Sequence, residues 1–402
     1  MTTIAVVGGG AAGLVAAIFA ASDGADVLLI ERTADGGRKI LISGGGRCNV
    51  LPSVLAPERF VTDSAGHLLR AMLKAWPLHE QQAFFENDLH IPLALEDESG
   101  KLFPASNRAR DVRDGLVSFA RERGVRFQFG TRVDGLQPDD AGWIVRTSTG
   151  DIPAAAVILA TGGLSVPATG SDGIGLQVAA GLGHRMIDPY AALTPLLGDT
   201  RSRHDALSGV SLHVRLRAKS ATGTAEAHGG FLFTHRGYSG PSVLDVSHIV
   251  TRTGNATVRA QWSSLDAAAW NREFETPSAP VATLIGRHVP TRLGAQLMLE
   301  AGVPADRRTS SLRRTERTSL IECLTSYALP VTGDEGFKKA EVTGGGVALD
   351  EVDLRTLESK RHPRLYLCGE ILDAFGPIGG HNFAWAWATG RAAGRAAARP
   401  SP

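Results

Sequence analysis

The sequence predicts an α/β fold: one domain of alternating strands and helices, split by an insertion of different texture. Three observations predict it. Residues 4–31 read as strand, glycine turn, helix and strand. Residues 155–163 and 365–383 again run buried apolar strands straight into glycines. Between them, from about residue 190, apolar residues alternate with polar ones, as in a half-buried antiparallel sheet. With 402 residues, the chain is long enough for more than one core.

Ile4–Val7 is short, apolar and rich in valine, which suits a buried strand. Gly8-Gly9-Gly10-Ala11-Ala12-Gly13 follows, with Gly8, Gly10 and Gly13 in G-x-G-x-x-G register. Gly8 allows a tight turn, Gly10 lets a pyrophosphate approach the backbone, and Gly13 lets helix and strand pack closely. Ala11 and Ala12 open an alanine-rich helix whose free N–H groups face the phosphates. Val27–Ile30 ends in Glu31, 18 residues after Gly13, where a carboxylate can accept from ribose hydroxyls. A ligand-free glycine turn does not account for Glu31, so this order points to an adenine dinucleotide.

The totals narrow the classes. A net charge of +1 gives no reason to expect nucleic acid or an anionic membrane as partner. Cys48, Cys323 and Cys368 form no C-x-x-C pair or disulfide framework, which fits a reducing cytoplasm, and no metal is called for. Residues 4–21 are uncharged but lack a basic leading region, so they read as neither signal peptide nor membrane span.

Thr33–Asn49 is the second informative stretch. Gly44-Gly45-Gly46 lets a backbone press against a flat or phosphorylated ligand, and Arg38, Lys39 and Arg47 can offset its negative charge. A flexible surface loop does not explain the adjacent Ile40-Leu41-Ile42.

GGGAAGL at 8–14 and GRKILISGGGRCNV at 37–50 resemble the bacterial BaiN/YhiN-like flavoproteins. LFTHRGYSGP at 232–241, AEVTGGG at 340–346 and CGEILDAFGPIGGHNFAWA at 368–386 resemble the same family. The chain departs from it with NVLPS after Cys48, with His381 where Tyr is common, and with Ala384-Trp385 where QW is frequent. The resemblance implies that FAD is bound by the glycine-rich loop, including Arg32, Ser43, Cys48 and Asn49.

The remaining elements follow in order. Residues 68–89 and 110–124 have helical spacing. Residues 125–129, 131–136 and 143–147 are strand candidates, and Val133 matches the position whose backbone meets adenine in flavoproteins. Ala155–Leu159 ends in Ala160-Thr161-Gly162-Gly163, a second dinucleotide signature. Residues 169–175 resemble a phosphate loop but read as a helix start, with Ser171 or Asp172 as N-cap. A nicotinamide therefore docks without a nucleotide-binding domain of its own. Residues 210–218, 231–234 and 257–262 alternate as strands, and a helix starts at Pro241. Residues 265–274, 281–299 and 315–329 look helical, and Arg307, Arg308, Arg313, Arg314 and Arg317 read as a solvated basic face.

Leu365–Cys368 enters Gly369-Glu370, with Asp373 following, and Gly379-Gly380-His381-Asn382-Phe383 precedes the last helix. Asp373 can bond ribityl hydroxyls, and the helix start at 380–383 can stabilise negative charge near flavin N1–C2=O.

The expected architecture is a glutathione-reductase-like Rossmann FAD domain formed by 1–190 and 338–402. The insertion comprises a β-barrel or sandwich module at 191–262 and a helical part at 263–337. The expected activity is that of a cytoplasmic FAD-dependent oxidoreductase. It takes NADPH or NADH as a transient donor and reduces a small organic substrate by hydride transfer at flavin N5. The alternatives are an aminoacetone-type amine oxidase or dehydrogenase, and a non-catalytic flavin-bound redox sensor or assembly factor. No catalytic residue is assigned; the candidates are Cys48, His235 and His381.

Overall fold

The structure is a computed structural model and describes residues 3–399. The chain divides into two compact units, Met1–Tyr190 with Val342–Pro402, and Ala191–Glu341.

The first unit is built on a five-stranded parallel sheet in the order Leu365–Leu367, Ala156–Leu159, Thr3–Val7, Asp26–Ile30, Arg126–Gln128. Val6 lies between Leu29 and Ile158 in register. The central strands are apolar at successive positions because both faces are covered, and Ile4–Val7, Ala156–Leu159 and Leu365–Leu367 are all buried. The first helix, Ala11–Ser22, packs against the last, His381–Ala398. Gly390 and Gly394 allow this approach: a Cβ on either would collide with the carbonyl oxygen of Ala12 or Ala16. Two antiparallel three-stranded sheets complete the unit, one from Val133–Asp139, Gly142–Thr147 and Gly150–Ala154, the other from Leu51–Pro52, Lys101–Pro104 and Leu93–Glu96.

Two helices differ from expectation. The stretch 68–89 is Gly66–Lys74 and Leu78–Ala83, broken at Pro77 and continued by a wide turn at Phe84–Asp88. The helix Ile174–Gly181 has Gly173, at φ 83°, in the N-cap position; the expected capping side chain Asp172 sits one residue earlier and accepts from Ile174 N–H through Oδ1 at 3.2 Å, whereas Ser171 does not cap. The Asp172 carboxylate is engaged by the Arg32 guanidinium.

The second unit contains one seven-stranded antiparallel sheet. Its order is Tyr327–Ala328, Thr257–Gln261, Ser211–Ser220, Gly223–Phe233, Gly237–Ser239, Leu196–Gly198, Val331–Asp334. Two of these strands come from the stretch read as helical. They are only two and four residues long, too short to show alternation. Phe231, Phe233, Tyr238 and Trp262 fill the core beside the helix Pro241–Thr251. The helices Ala267–Glu273, Val281–Ile285, Thr291–Glu300 and Arg314–Thr325 supply the rest of the apolar cluster.

Candidate cofactor site

The glycine turn is fastened from behind and open in front. Gly8 has φ 102°, and its N–H donates to the Ile30 carbonyl at 2.9 Å. A Cβ on Gly13 would overlap the Gly8 carbonyl oxygen, so Gly13 sets the helix against the turn. Gly10 is different: no atom lies within 4 Å of where its Cβ would stand. It is also the N-cap of Ala11–Ser22 and offers no capping side chain, so the first-turn N–H groups face open space. Glu31 is 8% exposed. Its Oε2 accepts from Gly9 N–H at 2.7 Å, and its Oε1 accepts from Thr33 N–H and Thr33 Oγ1, both at 2.7 Å. A carboxylate has about four lone-pair sites, so one remains unused.

The stretch after Gly37 is a short helix, Arg38–Ile42, closed by a tight turn at Ser43–Gly46. Gly44, Gly45 and Gly46 are all left-handed, at φ 55°, 67° and 86°. A Cβ on Gly45 or Gly46 would meet nothing within 4 Å, so this turn presents bare backbone. The basic side chains are committed elsewhere. Arg38 Nε donates to Asp35 at 2.6 Å, Arg47 donates to Glu96 at 3.0 Å and stacks over Phe103 at 4.0 Å. Lys39 Nζ donates to Glu370 Oε2 at 2.8 Å and to Ser165 Oγ at 2.7 Å. The sequence shows these cations but not the carboxylates that fold back onto them. Cys48 is fully buried, and burial pushes its thiol up to about 12. Asn49 Oδ1 is buried and has no hydrogen-bond partner.

The Ala160–Gly163 turn leaves the parallel sheet with Ala160 N–H bonded to the Val7 carbonyl at 2.8 Å. Thr161 Oγ1 is buried without a partner. Thr343 Oγ1 accepts from Leu164 N–H at 2.7 Å and Ser165 N–H at 3.0 Å, in the space that a Cβ on Gly163 would take. Glu370 Oε1 accepts from Ser165 Oγ at 2.6 Å and Thr343 N–H at 3.0 Å. Burial alone would raise the Glu370 pKa, but the Lys39 charge outweighs it and holds the carboxyl below its usual range.

Asp373 is buried, and its Oδ2 gathers four donors: Thr62 Oγ1, Asp63 N–H, Ser64 N–H and Ser64 Oγ, at 2.9–3.0 Å. Burial raises its pKa despite them. Among the described residues no hydrogen bond reaches Oδ1, which keeps its capacity to accept. Sequence reading missed Thr62–Ser64; their one signal is a short polar run between Phe60 and the helix at Gly66.

The last helix starts at His381 behind Gly380 at φ 93°, again without a capping side chain. The Asn382 amide clamps Gly376, accepting from its N–H at 2.8 Å and donating to its carbonyl at 2.9 Å. Phe383 stacks on Trp387 at 5.2 Å. His381 is buried edge-on to Phe60, at 6.0 Å, and burial pushes its pKa down to about 4, with the Arg59 charge adding.

Gly369 begins a short turn and donates its N–H to Thr389 Oγ1 at 3.0 Å. Gly379, at φ 111°, lies against the Lys101 side chain, and Val133 is buried at the start of its strand. Cys368 is free and fully buried, its thiol likewise pushed up to about 12. His235 belongs to the second unit and is exposed in the turn before Gly237–Ser239. Tyr238 is in that unit's core, its hydroxyl 2.8 Å from His204 Nδ1.

These residues fit a flavin dinucleotide. Two uncapped helix N-termini supply N–H donors, Gly10 and Gly45-Gly46 leave room for a ligand, and Asn49 Oδ1 and Thr161 Oγ1 are buried and unbonded.

Fold and site together define an FAD-dependent oxidoreductase. The family model described as the HI0933-like protein Rossmann domain matches residues 2–396, and the chain belongs to this family. It is 30% identical over 389 residues to the ribosomal RNA dihydrouridine synthase of Escherichia coli K12, covering 96% of this chain and 95% of that one. It is 32% identical over 413 residues to the 3-dehydro-bile acid delta(4,6)-reductase of Clostridium scindens, covering 99% of both. Among solved structures, a 3-ketosteroid delta1-dehydrogenase from Sterolibacterium denitrificans has TM-score 0.55 at 13% identity, covering 99% of this chain and 100% of that one. A flavocytochrome c3 fumarate reductase has TM-score 0.52 at 18% identity, covering 99% and 78%. These two likenesses concern the fold alone. No helix among the described residues is long and apolar enough to cross a membrane.

Proposed function

We propose that this oxidoreductase saturates a carbon–carbon double bond conjugated to a carbonyl, using NADPH or NADH as donor. The observation that carries this reading is the shared chemistry of its full-length relatives. One is named for making dihydrouridine, in which the uracil double bond is saturated, and the other for reducing a steroid-type dienone. Saturating such a bond adds one hydride and one proton across it, and in the proposed reaction of this chain the nicotinamide is oxidised.

Bound FAD supplies the two-electron chemistry that links nicotinamide to substrate. The protein's own residues bind and orient. Uncapped N–H groups at Ala11–Gly13 receive pyrophosphate, Glu31 receives the ribose, and the helix start at His381 stabilises negative charge on the ring system. The bare turn Gly44–Gly46 lets a planar ring lie against backbone. Cys48 and Cys368, buried and protonated, take no part as a dithiol. His381 is neutral at pH 7 and stores no proton to give as an imidazolium.

Anaerobic mixing with NADPH or NADH tests the reading: the flavin bleaches within turnover times, and adding a uridine-containing RNA or a conjugated dienone restores its colour. Fast bleaching by an amine with slow bleaching by both nicotinamides supports the oxidase alternative. No reduction by any donor supports a non-catalytic role.

Between the two substrates, charge favours uracil held in RNA. Residues 191–341 carry 18 Lys and Arg against 14 Asp and Glu, although the whole chain has a surplus of only one. The near-neutral total, from which no nucleic-acid partner is expected, averages a basic insertion with an acidic remainder.

A further inference from the structure

We propose that the open face of the seven-stranded sheet in the second unit docks the phosphate backbone of RNA through Arg215, Arg217, Lys219 and Arg259. This rests on the reading that uracil in RNA is the substrate.

The strand Ser211–Ser220 alternates strictly. Val214, Leu216 and Ala218 are buried in the core, and His213, Arg215, Arg217 and Lys219 are exposed on the other face. Register extends this row sideways. Arg217 lies opposite Arg259 on one neighbouring strand and Glu226 on the other, and Arg215 lies opposite Gln261 and His228. Directly opposed like charges destabilise a sheet, so Arg217 beside Arg259 is a cost that folding does not require. Alternate residues on a strand are about 7 Å apart and neighbouring strands about 4.8 Å, so the cations form a grid on the scale of successive phosphates.

Little on the face neutralises them. Glu226 approaches Arg217 at 3.3 Å, and Arg259 donates to the Ser326 carbonyl at 2.8 Å. The side chains of Arg215 and Lys219 have no ion pair or hydrogen bond among the described residues. Arginines at 307–317 behave differently. Arg307 is paired with Glu316 at 2.8 Å, and Arg308 and Arg317 hold the carbonyls of Ser278 and Asn271. Those three are structural, whereas on the sheet face Arg215 and Lys219 are uncommitted and Arg217 and Arg259 are each held by a single exposed contact.

Leu232, at the end of the face, is its one exposed large apolar side chain, so nothing there resembles the apolar wedge of a membrane-surface element. No Phe, Tyr or Trp stands among the cations to stack on bases; among the described residues the only rings on the face are the imidazoles of His213 and His228. Binding through this face is therefore expected to be sequence-independent and strongly salt-dependent.

The test uses the full-length, FAD-loaded protein and a fluorescein-labelled single-stranded RNA 20-mer, followed by anisotropy across a range of KCl concentrations. The variant Arg215→Gln/Arg217→Gln/Lys219→Gln is expected to bind about tenfold more weakly at low salt and to lower the slope of log Kd against log salt by about 2. Its flavin spectrum and its rate of bleaching by NADPH stay unchanged. The control Arg314→Gln/Lys338→Gln/Lys339→Gln, with the same charge loss elsewhere, keeps the wild-type slope. An unchanged slope in the first variant, or an equal drop in the control, overturns the assignment. So does wild-type binding to phosphatidylserine vesicles but not to RNA. If wild type binds no RNA yet reduces a small dienone, the docking face falls and the reductase reading stands.

Discussion

Lys39 Nζ sits 2.8 Å from Glu370 Oε2, a pair that closes 331 residues of chain and ties the glycine-rich turn to the C-terminal segment of the same unit. Both side chains are less than one-third exposed, and Ser165 and Thr343 complete the network around the carboxylate. Lys39→Met leaves Glu370 without its counter-charge and is expected to cost about 3 kcal/mol in urea unfolding. Adding Glu370→Gln restores most of that loss. If Lys39 instead neutralised cofactor phosphate, the single variant would lose FAD affinity and the second substitution would not restore it.

The two glycines of the first turn separate folding from binding. Gly13→Ala forces a methyl into the Gly8 carbonyl oxygen and is expected to lower apo stability by about 1–3 kcal/mol. Gly10→Val meets no protein atom within 4 Å at its Cβ, and its backbone, at φ −78°, accepts any side chain. Its apo melting temperature is expected to stay near wild type while flavin content after purification falls to background. Thermal melts of apo protein and the absorbance of purified protein measure the two effects. Normal flavin content in Gly10→Val removes the pyrophosphate from this position.

Much of this was legible because the first unit obeys local rules. Gly8, Gly10, Gly13 and Glu31 lie within one strand–helix–strand unit, and their spacing is geometry. The charge assignments were less legible, because the carboxylates that engage Arg32 and Lys39 come from 140 and 331 residues away. Thr62–Ser64, which support Asp373, carry no spacing signal at all. In the second unit the apolar phase of 210–218 was visible, and its cationic phase stood in the same letters. It gains meaning only when register sets Arg259 beside Arg217. The strand Gly223–Phe233 was seen only at its end, since alanines and glycines leave its first half without an apolar phase.

Glu31 braces the turn, and its proposed contact to the ribose is separable from that role by one substitution. Glu31→Ala releases Gly9 N–H and the Thr33 donors, so apo stability is expected to fall by about 1–3 kcal/mol. FAD affinity falls as well, through the lost ribose acceptor. Titration of apo protein with FAD, beside an apo melt, reads both. A lower melting temperature with unchanged affinity would mean that the carboxylate only braces the turn.

His381 gives the fold an acid-sensitive point at the start of the last helix. Its folded pKa is about 4 against an ordinary 6.5, with burial as the first cause and the Arg59 charge as the second. Above pH 6.5 both folded and unfolded chains hold it neutral, and it contributes no pH dependence. As pH falls from 6.5 toward 4 the unfolded chain takes up a proton that the folded chain excludes, so stability declines. The loss reaches about 3 kcal/mol at the lower end. His381→Phe keeps a buried ring against Phe60 and removes the titration. Its unfolding free energy is therefore expected to fall less than wild type's between pH 6.5 and 4.5, and its flavin to be released at lower pH. Denaturant titrations followed by flavin fluorescence measure this difference. Parallel curves for the two proteins would show that His381 is protonated in the folded state and that the pocket around it is wetter than its burial implies.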